Sequence, residues 1–295
     1  MTPLKLNPIY KNYIWGGNRL KTEYNKITDI TPLAESWELA CHKDGDSIIA
    51  NGEFAGQPLR EYLKTDNFPI LIKLIDAKEN LSVQVHPNDE YAYKHEGEPG
   101  KTEMWYIVDC EEDAYLYYGL KYEVTKDEFE THIKNGTVEE ILNSVKVKRG
   151  DVFFIPAGTL HAIGKGIIIA EIQENSNTTY RVFDYGRGRQ LHIDKAIDVT
   201  DLKPASARHS YAAESYDGYT CVLLSSCEYF TSHRLDIKSK ASLSADEDSF
   251  HHLLVLSGDF NIDGISARKG DSIFIPSGYG NYVIEGCGEV IVTTV

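Results

Sequence analysis

A short stretch of the chain places three polar side chains on one face of a predicted strand. Residues 81–86 read Leu-Ser-Val-Gln-Val-His. Because side chains alternate along a strand, Ser82, Gln84 and His86 share one face and the apolar residues share the other. On a solvated outer face such a row would need no explanation. Inside a barrel the same row would form a site, and imidazole is a common metal ligand.

An internal repeat singles out a second histidine. Residues 148–161 read KRGDVFFIPAGTLH, and residues 268–281 read RKGDSIFIPSGYGN, without gaps at an offset of 120 residues. In both copies Gly-Asp turns into an apolar strand, and Ile-Pro ends it because proline has no N–H for the ladder. The first copy ends in His161 where the second has Asn281. We therefore predict that the fold is duplicated but the site is not. This difference favours a chemical role for His161.

The elements that must position these residues are predicted to be mainly strands. Apolar runs of strand length recur along the chain, at residues 69–75, 103–108, 152–155 and 167–172 and again within 217–295. Two Thr-x-x-Glu sequences, starting at Thr125 and Thr137, fit the capping-box pattern and predict two short helices between about residues 126 and 143.

Other segments are assigned from their local composition. Residues 57–64 and 194–199 are predicted to form short helices. Residues 87–102 are rich in proline, glycine and charge and are predicted to be a loop, and residues 203–216 are predicted to be a linker.

Composition and charge narrow the classes of function. The 295 residues allow one large or two modest domains. The formal net charge of −15 repels phosphate backbones and anionic lipid, so nucleic acid and membranes are predicted to be poor partners. The five scattered cysteines form no C-x-x-C pair and predict neither a disulfide framework nor a thiolate zinc site. Without an apolar N-terminal run, the protein is predicted to be cytoplasmic.

The spacing around His161 resembles a cupin motif. Gly150-x5-Pro156-x-Gly158-x2-His161 resembles the second cupin motif, and Gln84-x-His86 with Glu103 resembles a variant of the first. The resemblance implies a mainly β fold of two cupin-type (double-stranded β-helix, or jelly-roll) barrels. We expect a catalytic domain over residues 1–202, with a small helical insertion at about 123–146, and a C-terminal domain over residues 203–295 that lacks metal ligands.

Four motifs in order resemble those of type I mannose-6-phosphate isomerases. They are SVQVHP at residues 82–87, GKTEM at 100–104, PAGTLHA at 156–162 and NTTYR at 177–181. The resemblance runs from about residue 8 to the C-terminus and is to the short form of the family. It implies a zinc-dependent isomerase that interconverts mannose 6-phosphate and fructose 6-phosphate through a cis-enediol(ate). It also implies one Zn²⁺ per chain, held by Gln84, His86, Glu103 and His161.

The same resemblance assigns roles to five further residues. It places Arg181 at a catalytic arginine near the developing charge, and it makes Lys101 and Glu171 catalytic pocket residues. Lys73 and Ser82 are expected to bind the phosphate or nearby hydroxyls. Two of these residues also have an alternative structural role. Lys73 could simply extend from a strand end, and Arg181 could pair with Asp184.

The sequence leaves the catalytic base open. Lys101, Glu171 and a metal-bound water are all candidates, and Glu171, following the apolar run 167–170, could have a raised pKa suited to proton transfer. Some longer relatives have an aspartate at the position of Asn177. Because an amide cannot perform proton transfer, Asn177 is not expected to be the base.

Two other functions compete with the isomerase. His86, Glu103 and His161 would also satisfy the two-His-one-carboxylate triad of a non-haem Fe(II) oxygenase. A sugar-binding module without catalysis is the third possibility. The sequence does not decide the oligomeric state or the physiological direction of the reaction.

Overall fold

The structure is a computed structural model, and it describes residues 2–205 and 211–295. The chain divides into two compact units. Unit 1 comprises Met1–Tyr13, Asn18–Leu74 and Ser210–Val295, and unit 2 comprises Ile14–Gly17 and Ile75–His209. The predicted domain boundary between residues 202 and 203 stays a prediction.

The first part of the chain forms short strands and two short helices. In order these are β1 (Leu4–Asn7), β2 (Ile9–Lys11), α1 (Arg19–Glu23), β3 (Glu35–Leu39), β4 (Cys41–His42), β5 (Gly45–Asp46), β6 (Ile48–Ile49), a 3-10 turn (Gly52–Phe54), α2 (Leu59–Leu63) and β7 (Ile70–Ala77). Helix α2 confirms the helix predicted within residues 57–64.

The middle of the chain alternates strands with three helices. The elements are β8 (Val83–Val85), α3 (Asp89–His95), β9 (Glu103–Cys110), β10 (Tyr115–Leu120), α4 (Lys126–Asn135), a 3-10 turn (Val138–Glu140), β11 (Leu142–Lys146), β12 (Val152–Ile155), β13 (His161–Ile163), β14 (Ile167–Glu174), β15 (Tyr180–Phe183) and α5 (Ile193–Val199).

The C-terminal part of the chain is all strand. It contains β16 (Glu214–Tyr216), β17 (Tyr219–Ser226), β18 (Thr231–Ile237), β19 (Lys240–Ala245), β20 (His251–Ile262), β21 (Ile265–Arg268), β22 (Ser272–Ile275) and β23 (Gly280–Thr294). Together with β1 and β6 these strands form one antiparallel sheet, in which β23 pairs with β18, β19 and β20. The mainly β fold predicted from the sequence is confirmed.

In unit 2, one sheet separates an apolar face from a polar face. Its strand order is β11-β10-β13-β8-β15. Alternate residues of β8, β13 and β15 pack into a buried cluster with residues of α4 and α5, as Val83 and Val85 do. The residues between them, Gln84, His161 and Arg181, are register partners on the opposite face. The apolar contacts with the helices therefore fix which residues face the site.

Three strands of unit 2 contribute the carboxylates. Strands β12, β9 and β14 are antiparallel neighbours, with Glu103 opposite Gln173 and Trp105 opposite Glu171. Residues that are paired across strands share a face. Glu103 and Glu171 therefore project from the same side of these strands.

The duplicated corner predicted from the sequence is present in both copies. Strand β12 follows Gly150 and precedes Gly158, and strand β22 follows Gly270 and precedes Gly278. The φ values of these four glycines are 90°, 88°, 88° and 70°, in the left-handed region that glycine adopts without strain. The backbone corner is therefore shared by the two copies.

Three local predictions need correction. The segment 87–102 is not all loop, because α3 begins after Asn88, whose side chain accepts a hydrogen bond from the Tyr91 amide. Thr125 caps α4 as predicted, but Thr137 makes no side-chain cap, and the predicted second helix is a single 3-10 turn. The predicted linker includes strand β16, and its residues 206–210 lie outside the described part of the chain.

The predicted helix at 194–199 is confirmed as α5. Within the described residues, none of the helices combines the length and the apolar character needed to cross a membrane.

A fully buried ion pair lies in unit 1. The Lys26 Nζ lies 2.6 Å from Glu38 Oε1 and 2.7 Å from Oε2, and it also donates to the Gly270 carbonyl oxygen at 2.5 Å. Burial raises the pKa of the Glu38 carboxyl, and the neighbouring Lys26 charge opposes that shift. Each of the two buried charges is therefore compensated by the other, because neither is hydrated.

Replacing Lys26 should destabilise the fold strongly. In Lys26→Met the Glu38 carboxylate stays buried without its cation, and we expect the free energy of unfolding to fall by about 3–5 kcal/mol. Urea denaturation followed by tryptophan fluorescence measures this loss. The control is Lys146→Met, which removes an ion pair of the same 2.6 Å length to Asp113 whose side chains are 78% and 74% exposed. That variant should keep the wild-type midpoint, and equal losses in both variants would contradict the role of burial.

Candidate metal and substrate site

Three buried side chains of unit 2 converge in a way that could hold a metal ion. The ligand atoms of His86, Glu103 and His161 all lie within 4.8 Å of one another. His86 Nε2 lies 3.7 Å from Glu103 Oε2, and His161 Nε2 lies 3.4 Å from Glu103 Oε1. All three residues are at most 1% exposed. The structure thus brings together three of the four predicted metal ligands.

Backbone carbonyl groups orient both imidazole rings. The His86 Nδ1 lies 2.8 Å from the Thr178 carbonyl oxygen, and the His161 Nδ1 lies 2.8 Å from the Thr159 carbonyl oxygen. A carbonyl oxygen only accepts, so each Nδ1 carries the proton and each Nε2 presents its lone pair. Such a contact fixes the tautomer that binds metals through Nε2.

The fourth predicted ligand lies beside His161. The Gln84 Nε2 is 3.4 Å from the His161 Nε2, and the Gln84 Oε1 accepts from the Ser82 hydroxyl at 3.3 Å. A half-turn of the amide exchanges its oxygen and nitrogen without moving the side chain. That orientation presents the amide oxygen beside His161, as a metal ligand requires.

Lys101 and Glu171 lie against this group. The Lys101 Nζ is 2.7 Å from Glu103 Oε2, 3.3 Å from His86 Nε2 and 3.7 Å from Glu171 Oε1. The Glu171 carboxylate also accepts a hydrogen bond of 2.9 Å from the indole Nε1 of Trp105. Lys101 and Glu171 are buried, so these charges act on one another with little screening by water.

Arg181 borders the site from strand β15. It is the register partner of Gln84, and its guanidinium donates to the Gln190 carbonyl oxygen at 2.9 Å. Asp184, with which the sequence allowed Arg181 to pair, forms ion pairs with Arg187 and Arg189. The position of Arg181 beside Gln84 is compatible with its predicted role.

The two predicted phosphate ligands fall in different units. Ser82 belongs to unit 2 and is buried beside Gln84. Lys73 belongs to unit 1, where it is 3% exposed and its Nζ lies 5.5 Å from the centre of the Trp37 ring. The roles of both residues in binding phosphate stay predictions.

Burial keeps His161 in the form that binds metals. Loss of hydration lowers the pKa of the His161 imidazole to about 4, while its hydrogen bond to the Thr159 carbonyl opposes the shift and the Lys101 charge adds to it. The neutral ring therefore persists at pH values where an exposed histidine becomes charged.

The donor set fits a divalent transition metal. Two imidazole nitrogens, a carboxylate and an amide oxygen are borderline to hard donors of the kind that Zn²⁺ accepts. The group is buried and its rings are oriented through their outer nitrogens. This arrangement is the pattern of a prepared metal site.

Sequence reasoning missed three contributors to the site. The Thr159 and Thr178 carbonyl groups and the Trp105 indole orient the candidate ligands and Glu171. A carbonyl contact leaves no mark in a sequence. Trp105 could have been found, because it lies two residues after Glu103 and therefore shares its strand face.

Two family models match the chain. "Phosphomannose isomerase type I, catalytic domain" matches residues 4–116, and "Mannose-6-phosphate isomerase, cupin domain" matches residues 220–295. Mannose-6-phosphate isomerase ManA of Bacillus subtilis (strain 168) is 40% identical to this chain, over 99% of the chain and 98% of the relative. The chain belongs to the type I phosphomannose isomerase family.

Another relative and a solved structure agree with this membership. The mannose-6-phosphate isomerase of Streptococcus mutans is 37% identical over 98% of this chain and 97% of its own. The crystal structure of the mannose 6-phosphate isomerase from Bacillus subtilis superposes with a TM-score of 0.95 and 35% identity, over 100% of both chains. The predicted family, the cupin fold class and the assignment as an enzyme are confirmed.

Replacing His161 should weaken the binding of a metal ion at this site. His161→Asn introduces into the first repeat the residue that the second repeat has at Asn281, and it removes one imidazole donor. We expect metal affinity to fall at least about 10-fold, measured by competition with a chromogenic chelator and by elemental analysis. The control is His251→Asn, which changes a partly buried histidine of unit 1. Equal metal retention in the two variants would contradict the assignment.

Proposed function

We propose that the chain interconverts mannose 6-phosphate and fructose 6-phosphate, using one Zn²⁺ held by Gln84, His86, Glu103 and His161. The observation that carries the proposal is the convergence of His86, Glu103 and His161 beside the buried Lys101–Glu171 pair. The family to which the chain belongs supports the same reaction. The bound metal would act as a Lewis acid that polarises the substrate oxygens.

In this proposal the substrate is bound at both ends. Isomerisation moves a proton between C1 and C2, while the phosphate lies at the far end of the sugar. Lys73 and Ser82 would bind the phosphate or nearby hydroxyls, and that binding energy would orient the reacting carbons. A cationic residue is needed in a chain whose net charge of −15 repels an anionic substrate.

Glu171 is the base in this proposal. Its carboxylate accepts from the Trp105 indole at 2.9 Å and lies 3.7 Å from the Lys101 ammonium, and both contacts hold it in place. Glu171 would take the proton from C2 of the aldose and return it to C1, while the hydroxyl proton of O2 passes to O1. The intermediate that connects the two steps is a cis-enediolate.

Lys101 and Arg181 would stabilise the charge that develops during this transfer. Lys101 is held between the Glu103 and Glu171 carboxylates, and Arg181 borders Gln84 on the neighbouring strand. Fixed cations in a buried site stabilise an enediolate more than water does, because they do not reorganise as the charge appears.

The proposed location is the cytoplasm. All five cysteines lie within the described residues, and none of them forms a disulfide. Thiols are kept reduced in the cytosol, so this state supports the location. The absence of nucleic acid and membrane partners, predicted from the net charge, belongs to the same proposal.

Turnover should depend on the metal. The purified chain is expected to form fructose 6-phosphate from mannose 6-phosphate in a coupled assay. A chelator should abolish the rate, and Zn²⁺ should restore it. If zinc-loaded protein shows no turnover, the proposed reaction is wrong. Oxygen uptake by iron-loaded protein would favour the Fe(II) oxygenase that the same triad could form.

Replacing Trp105 should slow the reaction by releasing Glu171. Trp105→Phe removes the 2.9 Å hydrogen bond to the Glu171 carboxylate but keeps a buried aromatic ring. We expect kcat to fall about 10-fold, since residues that orient a reacting group usually matter to that extent. The matched control is Tyr117→Phe, which removes a 3.0 Å hydrogen bond to the Glu139 carboxylate and contacts the apolar cluster beneath the helices. Equal rates in the two variants would remove the proposed role of Trp105.

A further inference from the structure

The segment that leads into strand β9 carries two residues of the site, and its backbone is held at three consecutive amides. The Gly100 amide donates to Asp89 Oδ1 at 2.7 Å, and the Lys101 amide donates to the Pro87 carbonyl oxygen at 2.9 Å. The Thr102 amide donates to the Glu174 Oε2 at 2.5 Å. Two of the three acceptors are therefore carboxyl groups.

Gly100 lies directly against the start of helix α3. A Cβ at this position would lie 2.5 Å from both the Asn88 carbonyl carbon and the Asp89 nitrogen, closer than real side chains approach. The segment therefore packs on the backbone of residues 87–89. On its other side the Glu174 amide donates to the Thr102 carbonyl oxygen at 3.0 Å, so Glu174 contacts Thr102 through both its backbone and its side chain.

The two carboxyl groups also contact each other. The Glu174 carboxyl hydrogen-bonds to Asp89, the charged group that faces it from α3, and its other partner is Thr102. Two carboxyl groups can share a hydrogen bond only when one of them carries a proton. Burial raises the pKa of Glu174 to about 7, the hydrogen bonds from Thr102 oppose the shift, and Asp89 adds to it.

We propose that Asp89 and Glu174 form a proton-sharing carboxyl pair that positions Lys101 and Glu103 in the site. The pair contacts the backbone on both sides of Lys101, whose ammonium lies 2.7 Å from the Glu103 carboxylate. Neither member of the pair is among the metal ligands or the reacting groups proposed above. Asp89 and Glu174 are positioning residues, and their effect on turnover depends on the proposed function.

The pair predicts an alkaline loss of activity. At low pH the shared proton joins the two carboxyl groups. As the pH rises through the pKa of Glu174 that proton leaves, the two carboxylates repel, and the Gly100–Thr102 backbone loses part of its support. Removing the titrating carboxyl while keeping its hydrogen bonds should therefore remove this loss.

The test compares Glu174→Ala with Glu174→Gln and Asp89→Asn in the full-length, zinc-loaded protein. We expect Glu174→Ala to lower kcat about 10-fold with little change in KM, because the segment loses an anchor while the substrate contacts remain. Glu174→Gln and Asp89→Asn keep one acceptor and one donor between the two positions. They should recover most of the lost rate and shift the alkaline limb of the kcat–pH profile to higher pH.

Hydrogen exchange provides a readout that does not depend on activity. A peptide covering residues 98–104 should exchange faster in Glu174→Ala than in wild type and at the wild-type rate in Glu174→Gln. The matched control is Glu139→Gln, which changes a partly buried carboxyl that is hydrogen-bonded to Tyr117. It should alter neither the exchange of that peptide nor the pH profile.

The outcomes separate this proposal from the proposed function. If the wild-type protein fails to isomerise the sugar phosphate, the proposed function is wrong, but hydrogen exchange still tests whether Asp89 and Glu174 support the segment. If wild type is active but Glu174→Gln keeps the wild-type alkaline limb or loses as much rate as Glu174→Ala, the pair is overturned. If Glu174→Ala does not fold, Asp89→Asn and Glu174→Gln decide the question through their pH profiles.

Discussion

The arrangement of the site follows from the free-energy cost of burying the Glu103 carboxylate, which its neighbours must offset. Glu103 is 0% exposed, and a charge without water is stable only when charged or polar partners replace the solvent. Lys101, His86 and His161 supply those partners at 2.7–3.7 Å. The rest of unit 2 can be understood as the framework that keeps them there. A divalent cation bound there would add further compensation for the buried charge.

Strand periodicity made much of the site predictable. The alternation in 82–86 identified which side chains share a face, and the repeat separated His161 from the glycines and proline that form the corner. The resemblance to a family supplied Glu103, which lies 17 residues beyond His86 in the chain and could not be linked to it by periodicity. Contacts formed through backbone carbonyls, and the order of strands in the sheets, depend on tertiary packing that no local pattern encodes.

The errors have physical causes as well. Helix α3 was missed because proline, glycine and charge dominate residues 87–102, although Asn88 as a cap and acidic residues in the first turn were signals of a helix. The second capping box failed because the chain turns into β11 after only three residues of 3-10 helix. Capping residues favour a helix only where the following chain is long enough to form one.

The division of the chain has a consequence for how the protein is made. Unit 2 consists almost entirely of one continuous segment, whereas unit 1 is assembled from residues that precede that segment and residues that follow it. On the ribosome, unit 2 can begin to fold while the chain is still growing, because the last of its residues is synthesised at position 209. Unit 1 must wait for β23, which follows unit 2 in the chain and pairs with β18, β19 and β20. Synthesis that stops before β23 would therefore leave unit 2 able to fold, while β18, β19 and β20 lack the strand with which all three pair.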